Sequence, residues 1–275
     1  MGALLSKVTK AVEMLPPRIV IHSEAGAGKT TLMADVPGMI VLPAEEGLGI
    51  LDVPHFERPE SFADVLNAIS ELHREKHEYR ALGIDTVDKI EPLVWAAVCA
   101  GGSNEKRTYT NIEDFGYAKG YIYADPYWIQ LFQALDALRR DRKMTVVVLS
   151  HNERRTVEDP QIGPHDRIAP KLHKRANALM QEWADVVGFL ELEKVATDKA
   201  GKAGRATRTA RATGSRMLHL EDFGTFVAKN RYGLSPTIEI PKERPYAPLR
   251  AALIDAMKKS QAPAVAPAVE EKEVA

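Results

Sequence analysis

Nine residues, Ser23–Thr31 (SEAGAGKTT), constrain this chain more than any other stretch of it. They stand between a short apolar run, RIVIH over 18–22, and a helical pattern beginning near Lys29. A glycine loop that joins a strand to a helix can cradle phosphate, because backbone N–H groups and the positive end of the helix both favour the anion. Each position has its own task. Gly26 allows the tight turn, and Gly28 lets backbone N–H groups come close to the phosphates. Lys29 supplies a point charge to the β- and γ-phosphates, and Thr30 a hydroxyl to Mg2+. Ser23 stands where the usual pattern has glycine; that position mainly ends the strand, and a small side chain fits there with modest strain. An ordinary glycine turn would leave the GKTT ending unexplained. Ser23, Glu24, Ala25, Gly26, Ala27, Gly28, Lys29, Thr30 and Thr31 are therefore expected to bind nucleotide, with ATP and Mg2+ as the cofactors.

Around the loop, apolar runs alternate with helical patterns. MIVLP (39–43), ALGID (81–85) and TVVVLS (145–150) read as strands. Residues 61–78, 89–100, 127–140 and 172–185 read as helices, with Pro92 placed in a first turn. Three later strands, 186–193, 217–220 and 225–229, are joined by short links. This order predicts an α/β fold with a mostly parallel, doubly wound sheet and antiparallel edge strands. The chain has 275 residues, 45% hydrophobic and 27% charged, enough for one sizeable core. The expected division is a helical lead-in over 1–15, one domain over 16–258 and a disordered tail over 259–275, rich in Ala, Pro and Glu.

Other strand ends carry groups that suit a Mg·ATP site. Asp85 ends the ALGID strand, where it can hold the metal or its water, while Asp88 is expected to cap the following helix. Glu45 and Glu46 follow the second strand, which should run beside the strand of the glycine loop. Glu45 is the first choice for the base that activates water, and Glu46 the second. Ser150 and His151 stand at the carboxyl end of a buried strand, where a polar side chain can touch the γ-phosphate and report its loss.

The order of these pieces resembles the RecA-like branch of P-loop ATPases, specifically phage nucleotide-binding proteins related to RecA-type annealing recombinases. The resemblance spans roughly residues 16–242 and rests on SEAGAGKTT, AEEGL, LGIDTVD, IEDFGYAKGY, VVVLSHN and FVAKNRYGLSP. It implies a RecA-like P-loop NTPase fold and ATP hydrolysis. It also favours Glu45 as the base, because the family's glutamate follows the P-loop and precedes the metal-binding aspartate. KNRYG looks like the lysine–x–arginine element that reaches a neighbouring subunit's ATP. By that resemblance Lys229 and Arg231 act in trans, as an arginine finger does, and the protein works as a homo-oligomer.

RecA-like proteins place DNA-binding loops after the metal-aspartate strand and after the γ-phosphate-sensing strand. Residues 109–128 hold seven of the chain's 18 aromatics, with Lys106, Arg107 and Lys119 nearby. Such a mixture suits stacked single-stranded DNA bases as well as it suits packing. Residues 152–171 read as a polar loop in which Arg154 and Arg155 could couple phosphate state to DNA grip. Residues 194–216 carry seven basic side chains against Asp198 and read as a hairpin loop; Lys194, Lys199, Lys202, Arg205, Arg208, Arg211 and Arg216 would attract a phosphate backbone.

The remaining features mostly exclude. Lys plus Arg total 37 against 38 for Asp plus Glu, so an anionic partner must be held by local clusters. The single Cys99 forms no intramolecular disulfide and sits in an apolar helical run, as expected of a buried residue in a reducing compartment. No apolar run is long enough to span a membrane, and a cytoplasmic location is expected, in the host cell if the protein is phage-encoded. Gly2 and Ser6 match the myristoylation pattern, which is too short to carry weight. No histidine or cysteine cluster has zinc-ligand spacing. The competing readings are a small-molecule kinase and a non-hydrolysing nucleotide switch or helicase-loading partner that binds proteins; phage replication or recombination proteins are the partners expected besides DNA.

Overall fold

The computed structural model describes residues 14–49, 51–103, 107–161, 163–199 and 207–261. Five parallel strands form the centre of its sheet: β2 (Met39–Pro43), β3 (Ala81–Asp85), β4 (Thr145–Val157), β1 (Arg18–Ser23) and β6 (Val186–Lys199), in that spatial order. Beyond β6 the sheet turns antiparallel through β7 (Thr207–His219) and β9 (Thr237–Glu239). Two short strands attach at the side, β5 (His165–Pro170) to β4 and β8 (Lys229–Asn230) to β6. This is the α/β architecture expected, a mostly parallel sheet with an antiparallel edge.

Strand alternation decides what covers each face. Val20, Ile40, Leu42, Leu82, Ile84, Val146 and Val148 point to one core, which is closed by α2 (Phe62–Arg74), α3 (Val87–Gly102), α5 (Asp125–Asp141, entered from the short α4, Lys119–Tyr123) and α6 (Lys174–Trp183). Ile19, Ile21, Met39, Val41, Val147 and Leu149 point to the other, closed by α1 (Lys29–Ala34) and α7 (Ala247–Gln261). Full burial of each of these apolar side chains contributes about 1.5–3 kcal/mol. Gly83 leaves room where α1 crosses the sheet, since a Cβ there would run into the buried Met33 side chain. In α2 the buried residues Phe62, Val65, Ile69 and Leu72 form one stripe. Its start is fixed by a reciprocal cap, in which Ser61 Oγ accepts from Asp64 N at 3.2 Å and Asp64 Oδ2 accepts from Ser61 N at 2.9 Å.

Several expectations need correction. β2 does not run beside β1, because β3 and β4 stand between them. Helix α2 ends at Arg74 rather than at 78, and α3 begins at Val87, which puts Pro92 inside the helix rather than in its first turn. Thr86 occupies the cap position of α3, so Asp88 is free for other work. The polar segment 152–171 is largely an antiparallel pair in which Asn152 faces Pro170 and Val157 faces His165. Polar residues hid it from a reading based on apolar runs. Likewise β6 and β7 continue as a two-stranded ribbon through most of 194–216, with residues 200–206 outside the described part. Of the expected strand 225–229 only Lys229 is in β8, while Phe226 makes an isolated bridge to Ile168. Met14 and Leu15 have no regular secondary structure, and the rest of the lead-in, residues 1–13, lies outside the described residues. Helix α7 runs past the expected domain end at 258 to Gln261; residues 262–275 of the tail lie outside the described part.

Candidate functional site

The carboxyl ends of β1, β3 and β4 meet at one cleft. Ser23 and His151 face each other in register across β1 and β4. The loop leaves β1 with Gly26 at φ 79° and Gly28 at φ 98°, left-handed conformations that favour glycine, and α1 starts at Lys29. Lys29 is buried, and its ammonium donates to Ser23 O at 3.2 Å, Ser23 Oγ at 3.1 Å and Glu24 O at 3.2 Å. Ser23 therefore does more than end the strand, since its hydroxyl holds Lys29 and donates to Glu24 O at 2.8 Å. Burial draws the Lys29 pKa down, opposed by the charges of Asp85, Asp88 and Glu45.

Thr30 Oγ1 donates to Asp85 Oδ2 at 2.8 Å. Asp85 is buried, and its other oxygen has no hydrogen-bond partner. Burial raises the Asp85 pKa, while Thr30 and Lys29 oppose that rise. A hydroxyl beside an orphaned carboxylate oxygen is a hard-oxygen pair that fits Mg2+, an ion that keeps several waters and is completed by substrate phosphates. Among the described residues no group of three or more His, Cys, Asp or Glu could hold a metal.

Asp88 orients His151. One of its oxygens accepts from the His151 backbone N–H at 2.9 Å, and the other faces the ring Nδ1 at 3.0 Å. With Nδ1–H donated to Asp88, Nε2 is left facing Glu45 Oε1 at 3.8 Å. Glu45 arrives by another route than expected: Ala44 N donates to Asp85 O at 2.6 Å and draws the end of β2 to the end of β3. Burial raises the Glu45 pKa, His151 opposes, and Asp85 and Asp88 add to the rise. Glu46 is exposed and does not line the cleft. Ser150 is buried and donates to His151 O at 2.7 Å, so its hydroxyl is spent on the backbone.

Lys29, Thr30, Glu45, Asp85 and His151 thus line a single cavity of 370 Å3. One further residue lines it that sequence reasoning counted only as a surface charge, Arg216 of β7. Strand parity could have found it, because Leu218 and Leu220 face the core beneath α1 and Arg216 shares their alternation.

Lys229 and Arg231 lie elsewhere. The Lys229 ammonium donates to the carbonyls of Gln181 and Glu182, and Arg231 donates to Glu182 O at 2.8 Å and Asp185 Oδ1 at 3.4 Å. Asp185 also binds Arg18 at the start of β1. At about 3.3 Å per residue, Arg18 and Ser23 stand about 17 Å apart along that strand, so neither basic side chain approaches this chain's own loop.

Most of the aromatic segment is packed. Tyr109 stacks on Phe115 at 3.9 Å, Tyr121 on His173 at 3.9 Å, and Trp128 is buried. Tyr117, 97% exposed beside Lys119, and Tyr123, 47% exposed, are the exceptions. Arg155 is tied to Glu153 and to Leu172 O, and Arg154 pairs with Asp166 at 3.7 Å; neither touches His151. Lys106, Lys202 and Arg205 lie outside the described residues. Cys99 is buried in α3, as expected. No described helix is long and apolar enough to cross a membrane.

A family model described as an AAA domain matches residues 15–232. Among solved structures, the chain is similar to the crystal structure of the RadB recombinase at 12% identity and a TM-score of 0.44, over 84% of this chain and 90% of that one. No curated protein matches it.

Proposed function

The chain belongs to the AAA domain family, and from that premise we propose that it is a RecA-like Mg·ATP-binding ATPase acting on single-stranded DNA. The observation that carries the reading is the convergence of Lys29, Thr30, Asp85, Glu45 and His151 on one cavity from four strand ends. The loop amides and Lys29 bind the phosphates of ATP as substrate. Thr30 and Asp85 hold Mg2+, which when bound neutralises charge on the phosphates. Glu45 accepts a proton from water, a task to which its raised pKa is suited. His151, fixed by Asp88, senses the terminal phosphate and orients Glu45.

Oligomerisation belongs to the same proposal. Lys229 and Arg231 sit too far from their own loop to serve it, a placement that supports a role in trans, towards a neighbour's nucleotide. On their own chain they cap α6, a second task that does not exclude the first. Exposed Tyr117 with Lys119 and the basic β6–β7 ribbon are the surfaces best suited to single-stranded DNA. The phage setting, in recombination, annealing or replication within the host cytoplasm, comes from the family resemblance and is proposed with it.

The test is the ATPase rate with and without a poly-dT oligonucleotide at low and moderate salt. Stimulation that weakens with salt is expected. ATP turnover with no response to oligonucleotide and no oligonucleotide binding would instead favour a switch that acts on proteins. Phosphate transfer to an added nucleoside would favour a kinase.

A further inference from the structure

Resting on the nucleotide reading above, we propose that Arg216 is a phosphate-binding residue supplied in cis, through which the nucleotide site is coupled to the β6–β7 ribbon. Its guanidinium lies against the glycine loop: a Cβ added at Gly28 would stand 2.9 Å from Arg216 Cζ and 3.0 Å from Nη1. That is where the loop amides leave room for an anion. The Nε atom is buried and has no hydrogen-bond partner. A guanidinium that lines this cavity with Lys29 and Thr30 is suited to a phosphate oxygen, which accepts charge-assisted bonds from such a planar fork.

The backbone around Arg216 makes it a rigid reporter. Arg216 pairs with Leu192 of β6, and its carbonyl accepts from Ile240 N at 2.8 Å, so it is clamped from both sides. Immediately beyond, the β6–β7 register shifts between Leu192 and Lys194, and the ribbon then continues from Lys194–Ala212 to Lys199–Thr207. A bulge at that point re-aims the strands above it. Arg216 is thus the foot of the basic ribbon and the wall of the nucleotide cavity at once. When phosphate engages the guanidinium, the ribbon's base is pinned; when phosphate leaves, that restraint is lost. The ribbon's hold on an anionic strand then varies with nucleotide state.

The experiment compares wild type, Arg216→Ala, Arg216→Lys and Lys29→Ala, each shown folded by circular dichroism. Mg·ATP affinity is measured by calorimetry, and hydrogen exchange of the 207–219 amides is measured with and without saturating Mg·ATP. Arg216→Ala is expected to weaken Mg·ATP about ten- to a hundredfold, the range of a charge-assisted bond. Arg216→Lys should recover only part of that loss, because the fork is gone. Nucleotide should slow exchange over 207–219 in wild type and fail to do so in Arg216→Ala at saturation. Wild-type affinity in Arg216→Ala, or an undiminished exchange response, would overturn the proposal while leaving the nucleotide site standing. Absence of Mg·ATP binding by the wild type would overturn both.

Discussion

Two buried groups near the cleft give the folded protein opposing pH responses that can be separated by mutation. His22, one residue before the glycine loop, is fully buried; its Nε2–H donates to Val227 O at 2.8 Å and Nδ1 has no partner. Burial pushes its pKa from 6.5 down to about 4. Glu91 on α3 accepts from His173 N at 2.9 and 3.1 Å, and burial pushes its pKa from 4.5 up to about 7. Between pH 6.5 and 4 the unfolded chain takes up a proton at His22 that the folded chain refuses, so stability falls as pH falls. Between pH 7 and 4.5 the folded chain holds a proton on Glu91 that the unfolded chain has released, so stability rises as pH falls. Each displacement spans 2.5 pH units (6.5 − 4 and 7 − 4.5). At about 1.36 kcal/mol per pH unit, each is worth about 3 kcal/mol in full and about 2 kcal/mol between pH 7 and 4.5.

The wild type therefore hides both effects, and each variant exposes the other. Urea unfolding followed by circular dichroism at pH 7 and 4.5 measures them. Relative to wild type, Glu91→Gln should lose about 2 kcal/mol on acidification, and His22→Gln should gain about 2 kcal/mol. Contributions from Glu45 and Asp85, whose pKa values burial also raises, are common to all three proteins and cancel in the differences. If both variants track the wild type to within about 0.5 kcal/mol, burial does not control these groups and the reasoning is refuted.

Further predictions concern the site itself. Glu45→Gln should lower kcat about 10²–10⁴-fold with Mg·ATP affinity unchanged, measured by steady-state kinetics and calorimetry; unchanged kcat would remove Glu45 as the base. Gly28→Ala forces a side chain into φ 98° and against Arg216, so denaturant unfolding should report a loss of about 1–2 kcal/mol together with lost nucleotide binding. Arg231→Ala and Lys29→Ala subunits should each be inactive alone and regain ATPase activity when mixed, since a sound nucleotide site then meets a sound finger. Full turnover by Arg231→Ala alone would end the trans assignment.

The elements legible in sequence were those whose residues carry their own signal. Met39–Pro43 and Ala81–Asp85 were read to the residue because continuous apolar runs mark strands buried on both faces. Asp85 followed from its position at such a strand's end. What escaped depends on distant partners. Nothing local to Asp88 says that it will bind the His151 backbone and ring 63 residues away. The β4–β5 pair escaped because its strands are polar, and the placement of β2 away from β1 because pairing order is a property of the whole sheet. Arg216 was obscured by the basic run it ends, although strand alternation already put it on the loop's side of the sheet.

The central claim is that the SEAGAGKTT loop with Asp85 is a working Mg·ATP site. Isothermal titration of folded wild type and Lys29→Ala with ATP, in the presence and absence of Mg2+, tests it most directly. Saturable heat from the wild type that requires Mg2+ for full affinity, and its loss in Lys29→Ala, is the predicted result. No heat from the wild type, or equal binding by Lys29→Ala, would contradict it.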